Sequence, residues 1–86
     1  MTEQLNVLLI DDSGDDREYF RRCLKKASRW DCLVTEAETG VDGIACLRDG
    51  GFEIVIIDYS MPGMTGLEIL SEITLRFPDV PVVMAT

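Results

Sequence analysis

The chain of 86 residues has room for one small domain and no second one. With 47% hydrophobic and 28% charged residues, its composition is that of a protein with a core, which excludes disordered and fibrous classes. Sixteen Asp and Glu against eight Lys and Arg leave a net charge of −8, so phosphate-backbone binding by this segment is not expected, and cations or basic partner surfaces are.

In chain order, Asn6 to Ile10 (NVLLI) is an aliphatic run without polar alternation, which suits a central parallel strand covered on both faces. Tyr19, Phe20, Cys23, Leu24 and Ala27 then recur at helical spacing. Cys32 to Ala37 (CLVTEA) is more polar and predicts an edge strand. A second helix is expected around Val41, Ile44 and Ala45, a third strand over Glu53 to Ile57, a third helix on Leu67, Leu70, Ile73 and Phe77, and a fourth strand over Val80 to Ala85. Each helix opens with an S/T-x-x-D/E pattern that can satisfy orphan N–H groups, Ser13 with Asp16, Thr39 with Asp42 and Thr65 with Glu68; the last alone carries the preferred Glu. Lys25, Lys26 and Arg29 suit the carboxyl end of the first helix, and Phe77-Pro78 closes the third. The β-α-β-α-β-α-β order implies a doubly wound α/β domain with a parallel sheet and right-handed crossovers.

Cys23, Cys32 and Cys46 have no C-x-x-C spacing and are expected to be buried free thiols in a reducing compartment. No apolar run approaches the ~20 residues of a membrane span, and Met1-Thr2-Glu3-Gln4 lacks a basic signal-peptide head, so the expected location is cytoplasmic.

In such a sheet, ligands bind beyond the carboxyl ends of the strands where strand order reverses. The first strand leads into Asp11-Asp12, the third into Asp58 and the fourth into Thr86. Carboxylates ~4 Å apart at an effective dielectric near 20 repel by roughly 4 kcal/mol per pair, so three of them call for protonation or a cation. Oxygen-only donors favour Mg²⁺, or Mn²⁺ in its place, over zinc. Taken alone, Asp11 and Asp12 could merely cap a helix, Thr86 could be a plain strand-end residue, Met61, Met64 and Met84 read as turn and core packing, and Trp30 as a cover for a helix end.

The segment Asp58-Tyr59-Ser60-Met61-Pro62-Gly63-Met64-Thr65-Gly66, with Asp11-Asp12 and Thr86, resembles the D-x-x-M-P-x-M-x-G phosphorylation loop and acid pair of the receiver domains of two-component response regulators. The resemblance implies a flavodoxin-like 2-1-3-4-5 sheet and a phosphoryl-accepting switch in a phosphorelay. It makes Asp58 the nucleophile that takes a phosphoryl group from a histidine kinase or histidine phosphotransfer protein. It places Mg²⁺ on Asp12, Asp58 and the main-chain carbonyl of Ser60, with Asp11 acting through water, and it gives Thr86 the role of a switch hydroxyl. Under the same resemblance Arg17, Arg21 and Arg22 are either a solvated helix face or part of a kinase-docking surface.

Against the family pattern, residues 1–86 read as an incomplete receiver domain, without the fourth helix, the fifth strand with its lysine, and the last helix. A chain ending there is expected to expose the edge of the fourth strand and to form a dimer or larger species. Two rival readings share parts of this pattern. A receiver-like interaction module without phosphorylation is the first; the second, an aspartyl phosphohydrolase of the haloacid dehalogenase type, requires a D-x-D that the chain lacks after its first strand. Neither G-x-G-x-x-G nor G-x-x-x-x-G-K-[ST] occurs, so nothing supports dinucleotide or Walker-type nucleotide binding.

Overall fold

The computed structural model describes residues 4–27, 31–59, 63 and 65–85. Along them run β1 (Gln4–Ile10), α1 (Gly14–Ala27), β2 (Asp31–Ala37), α2 (Gly40–Asp49), β3 (Ile54–Asp58), α3 (Gly66–Arg76) and β4 (Val82–Ala85). The strands form one parallel sheet in the order β2-β1-β3-β4, with β2 at an edge as its polar sequence predicts. Strand order reverses between β1 and β3, the two most apolar strands.

Boundaries differ from the apolar runs because ladder hydrogen bonds, not hydropathy, define the strands. β1 and β2 begin earlier than their aliphatic residues, since Gln4 already pairs with Asp31. β3 runs one residue further than expected, and Asp58 pairs with Ala85 inside the ladder. Pro81 has no N–H to give, so β4 starts after it, although its carbonyl still accepts from the Val55 N–H at 3.0 Å.

Alternate residues of the strands face opposite sides. Leu8, Ile10, Val55 and Ile57 pack with Ile44 and Leu47 of α2 and Ile69 and Ile73 of α3. On the other side Val7, Leu9 and Ile56 pack with Phe20 and Leu24 of α1.

The expected helix stripes are borne out at Phe20, Leu24, Ile44, Ile73 and Phe77 and fail at their flanks. In α1, Phe20 and Leu24 face the sheet, whereas Tyr19 is 67% exposed and Cys23 is exposed, which also corrects the expectation of three buried thiols. Cys32 and Cys46 are half-buried. In α2 the inward stripe is Gly40, Gly43, Ile44 and Leu47, and Val41 and Ala45 are exposed. The phase is set by Gly43, where even a Cβ would lie 2.7 Å from Cγ1 of Ile10, so that turn of the helix rests directly on β1. In α3 the stripe is Gly66, Ile69 and Ile73, with Leu67 at 53% exposure.

All three helix starts use the expected hydroxyl acceptors. The Thr65 hydroxyl accepts from the Glu68 N–H and Glu68 reciprocates on the Thr65 N–H, a complete capping box. The Thr39 and Ser13 hydroxyls accept from the N–H groups of Asp42 and Asp16 at 3.1 and 3.3 Å. Phe77 ends α3 with its N–H on the Ile73 carbonyl at 2.7 Å, and Lys25 and Lys26 occupy the last turn of α1. Among the described residues, no helix is long and apolar enough to cross a membrane.

Candidate functional site

Adjacent parallel strands end side by side, so the residues following β1 and ending β3 must share one rim of the sheet. Asp11, Asp12 and Asp58 meet there, each with a carboxylate oxygen within 4.8 Å of the others'. Asp11 is buried, Asp58 half-buried and Asp12 exposed, so the cluster grades from the sheet rim out to solvent.

Asp11 is held from several directions. Its N–H donates to the Ala37 carbonyl at 3.0 Å, continuing the β1–β2 ladder by one residue. Its Oδ1 accepts from the Ser13 N–H at 3.0 Å, which turns the chain into α1. Its main-chain carbonyl accepts from Nη1 of Arg17 at 2.7 Å. Burial lifts the Asp11 carboxyl above its ordinary value of 3.8; the Ser13 N–H opposes this, and the charges of Asp58, Asp16 and Asp12 add to it.

Asp58 is set by packing as much as by its strand. The Tyr59 N–H donates to the Ala85 carbonyl at 3.0 Å, and the Gly66 N–H to the Tyr59 carbonyl at 2.9 Å. A Cβ on Gly66 would sit 2.6 Å from the Asp58 carbonyl oxygen and 2.8 Å from Cα of Tyr59. The first turn of α3 therefore lies against the backbone that carries Asp58. The role of this glycine is close approach, not a permissive dihedral, since the positive-φ glycines are Gly50, Gly51 and Gly63.

The donor set fits a hard divalent cation. Three carboxylates converge, and among the described residues no Lys or Arg forms an ion pair with any of them. Ser60 and Thr86 lie outside the described residues, as do Met61, Pro62, Met64, Arg29 and Trp30. Met84 packs against the core as expected.

Arg17 is the residue that its sequence reading understated. Its side chain is only 12% exposed, and besides the Asp11 carbonyl it reaches Oε1 of Glu36 at 2.9 Å and Oε1 of Glu38 at 3.4 Å. Arg21 joins Glu36 at 3.1 Å, while Arg22 is a solvated residue paired with Glu18. Two sequence signals point to this: Arg17 precedes Phe20 and Leu24 at i, i+3, i+7 on the inward stripe, and Glu36 alternates with Val34 on the side of β2 that faces α1.

The response regulator receiver domain family model matches residues 7–86. The two-component response regulator ARR17 of Arabidopsis thaliana is 37% identical, with 98% of this chain and 62% of the relative covered. Response regulator protein TrrA of Thermotoga maritima, solved with Mg²⁺-BeF, superposes with a TM-score of 0.83 at 28% identity, covering 93% of this chain and 67% of that one. A chain of the complex between histidine kinase ThkA and TrrA gives a TM-score of 0.82 at 28% identity, over 93% and 66%. Against five plant response regulators, the chain spans 44% to 62% of their length.

Proposed function

The chain belongs to the response regulator receiver domain family, and on that premise we propose that it is a phosphoryl-accepting switch of a phosphorelay, with Asp58 as the acceptor. The observation that carries this reading is the convergence of Asp11, Asp12 and Asp58 at the strand-order reversal. In the proposed transfer, a carboxylate oxygen of Asp58 forms the new P–O bond as the P–N bond of a phospho-histidine breaks, and the electron pair stays on the imidazole of the donor. The donor is a histidine kinase or a histidine phosphotransfer protein; the TrrA–ThkA complex supports the kinase.

Asp12 and Asp58 would hold Mg²⁺ with the Ser60 carbonyl, and Asp11 would act through water. When bound, the ion offsets the charge of the carboxylates and of the transferring group. The chain's own residues do the positioning: the Gly66 contact fixes the Asp58 backbone, and the Ala37 and Ser13 contacts fix Asp11. Ser60 and the switch hydroxyl of Thr86 enter on the motif match alone. A cytoplasmic location belongs to the same proposal, and so does the absence of nucleic-acid binding by this segment, which the net charge of −8 supports.

The central test is acetyl phosphate or a phospho-histidine donor with Mg²⁺, followed by mass spectrometry. Phosphate should map to Asp58 and vanish in Asp58→Asn. Labelling that survives this substitution, or maps elsewhere, would refute the proposal. Calorimetric titration should show weak Mg²⁺ binding that Asp12→Ala removes.

A further inference from the structure

A cation placed beside a cluster of three carboxylates would ordinarily be expected to neutralise it, and Arg17 is such a cation. The structure shows something different. Arg17 touches Asp11 through the main-chain carbonyl, at 2.7 Å from Nη1, and its ion pairs go to Glu36 and Glu38. Arg17 and Arg21 carry two positive charges, and Glu36 and Glu38 two negative ones, so this network is balanced within itself. Among the described residues, none of its ion pairs reaches the carboxylates of Asp11, Asp12 and Asp58.

We propose that Arg17 is a positioning residue for the acidic site, clamping the Asp11 carbonyl to β2 and the segment after it through Glu36 and Glu38. The inference rests on the Mg²⁺ reading of Asp11, Asp12 and Asp58.

Three features carry it. The peptide that Arg17 holds is the one joining Asp11 to Asp12, so a shift of this carbonyl turns both carboxylates relative to Asp58. The Arg17 side chain is 12% exposed, and its guanidinium uses Nε, Nη1 and Nη2 on three different partners, a spread that one ammonium cannot copy. The clamp is anchored from the sheet: Glu36 registers with Leu9, a buried residue of the α1-facing cluster, so its carboxylate stands on the inner side of β2. There the Glu36 side chain, 32% exposed, accepts from both Arg17 and Arg21.

The sign of the effect separates positioning from electrostatics. If Arg17 acted on the site as a charge alone, Arg17→Gln would tighten Mg²⁺ binding by removing a nearby cation, and Arg17→Lys would leave it unchanged. As a positioning residue, both substitutions weaken it, by about 10-fold or more, the range seen when outer partners of metal ligands are removed.

The experiment is calorimetric titration of Mg²⁺ into the chain and into Arg17→Gln, Arg17→Lys and Glu36→Gln at fixed ionic strength. The amide resonance of Asp12, whose N–H shares the clamped peptide, is followed in metal-free samples. The expected result is weaker binding in both Arg17 variants with a displaced Asp12 amide, and a smaller weakening in Glu36→Gln. Unchanged or tighter binding in Arg17→Gln overturns the proposal. Should the Arg17 variants fail to fold, Glu36→Gln decides, because it keeps the Arg17 side chain and removes one anchor: weaker Mg²⁺ binding supports the clamp and unchanged affinity overturns it. A parent chain that binds no Mg²⁺ overturns the functional reading itself, a result distinct from equal binding by parent and variants.

Discussion

The two faces of the sheet are held by different forces. Toward α2 and α3 the contacts are apolar, with Leu8, Ile10, Val55, Ile57, Ile69 and Ile73 all inaccessible to solvent. Toward α1 the buried set is Val7, Leu9 and Ile56, and the packing continues into the Arg17–Glu36–Arg21 network. Both faces draw on the same strands, because consecutive residues of β1 point to opposite sides. One face therefore carries most of the apolar stabilisation, while the other holds the charges that aim Asp11.

Truncation on the apolar face should have the largest effect on stability and the least on the site. Ile73→Ala removes a side chain that is 0% exposed and should lower unfolding free energy by about 2–5 kcal/mol. Urea unfolding measures the loss, and Mg²⁺ affinity of the folded fraction should match the parent's. A changed affinity would mean that the two faces do not act separately.

Gly66→Ala should break the separation deliberately. The glycine belongs to the apolar-face helix, yet a methyl group there meets the Asp58 carbonyl oxygen at 2.6 Å and Cε of Met84 at 2.7 Å. Met84 can swing away; the Asp58 backbone has to move. We expect a stability loss of about 1–3 kcal/mol, typical of overpacking, together with weaker Mg²⁺ binding and slower labelling of Asp58. Loss of stability with an unaltered site would show that α3, not β3, yields.

A third substitution sharpens the comparison through pH. The Asp11 carboxyl is raised above 3.8, chiefly by burial, so the folded protein holds this proton more tightly than the unfolded chain does. Its contribution to stability is complete below the unfolded value and is lost as pH rises through the folded one. At neutral pH without metal, the buried charge is therefore a cost. Asp11→Asn keeps an oxygen for the Ser13 N–H and removes that charge. Its Tm without metal should exceed the parent's at pH 7. The gain should fade as pH approaches 3.8. Saturating Mg²⁺ should narrow or reverse it, because the ion stabilises the parent by binding the folded state. A gain independent of pH would assign it to something other than the charge.

Alternation of apolar runs with capped helices was enough to predict the element order and the meeting of Asp11, Asp12 and Asp58, since parallel strands joined by right-handed crossovers leave few arrangements. Helix phase was less legible. Tyr19 and Cys23 or Val41 and Ala45 share a spacing with truly inward residues, and apolar identity does not say which of two neighbouring stripes faces the sheet. The small residues decide it: Gly43 on Ile10 and Gly66 on Asp58 mark where a helix comes closest. Arg17 was hidden for a related reason, because a long charged side chain on the inward stripe looks solvated until its partner on the neighbouring strand is placed.

The smallest effect is expected at Arg22, and it tests whether proximity of charges alone explains Arg17. The Arg22–Glu18 pair, at 2.8 Å, is shorter than the Arg17–Glu36 pair at 2.9 Å. Distance would rank it at least as strong. Exposure says otherwise: the Arg22 and Glu18 side chains are 74% and 59% exposed, so water competes for both groups and salt screens them. An i,i+4 pair of this kind contributes about 0.3–0.5 kcal/mol. Arg22→Ala should therefore shift unfolding by no more than that, with the difference shrinking in 1 M salt, and should leave Mg²⁺ affinity and the Asp12 amide where they are. Thermal unfolding at low and high salt, with a Mg²⁺ titration beside the Arg17 variants, measures all three. If Arg22→Ala weakened Mg²⁺ binding as much as Arg17→Gln, the general field of the α1 arginines would be acting on the site, and the clamp on the Asp11 carbonyl would lose its standing as the cause.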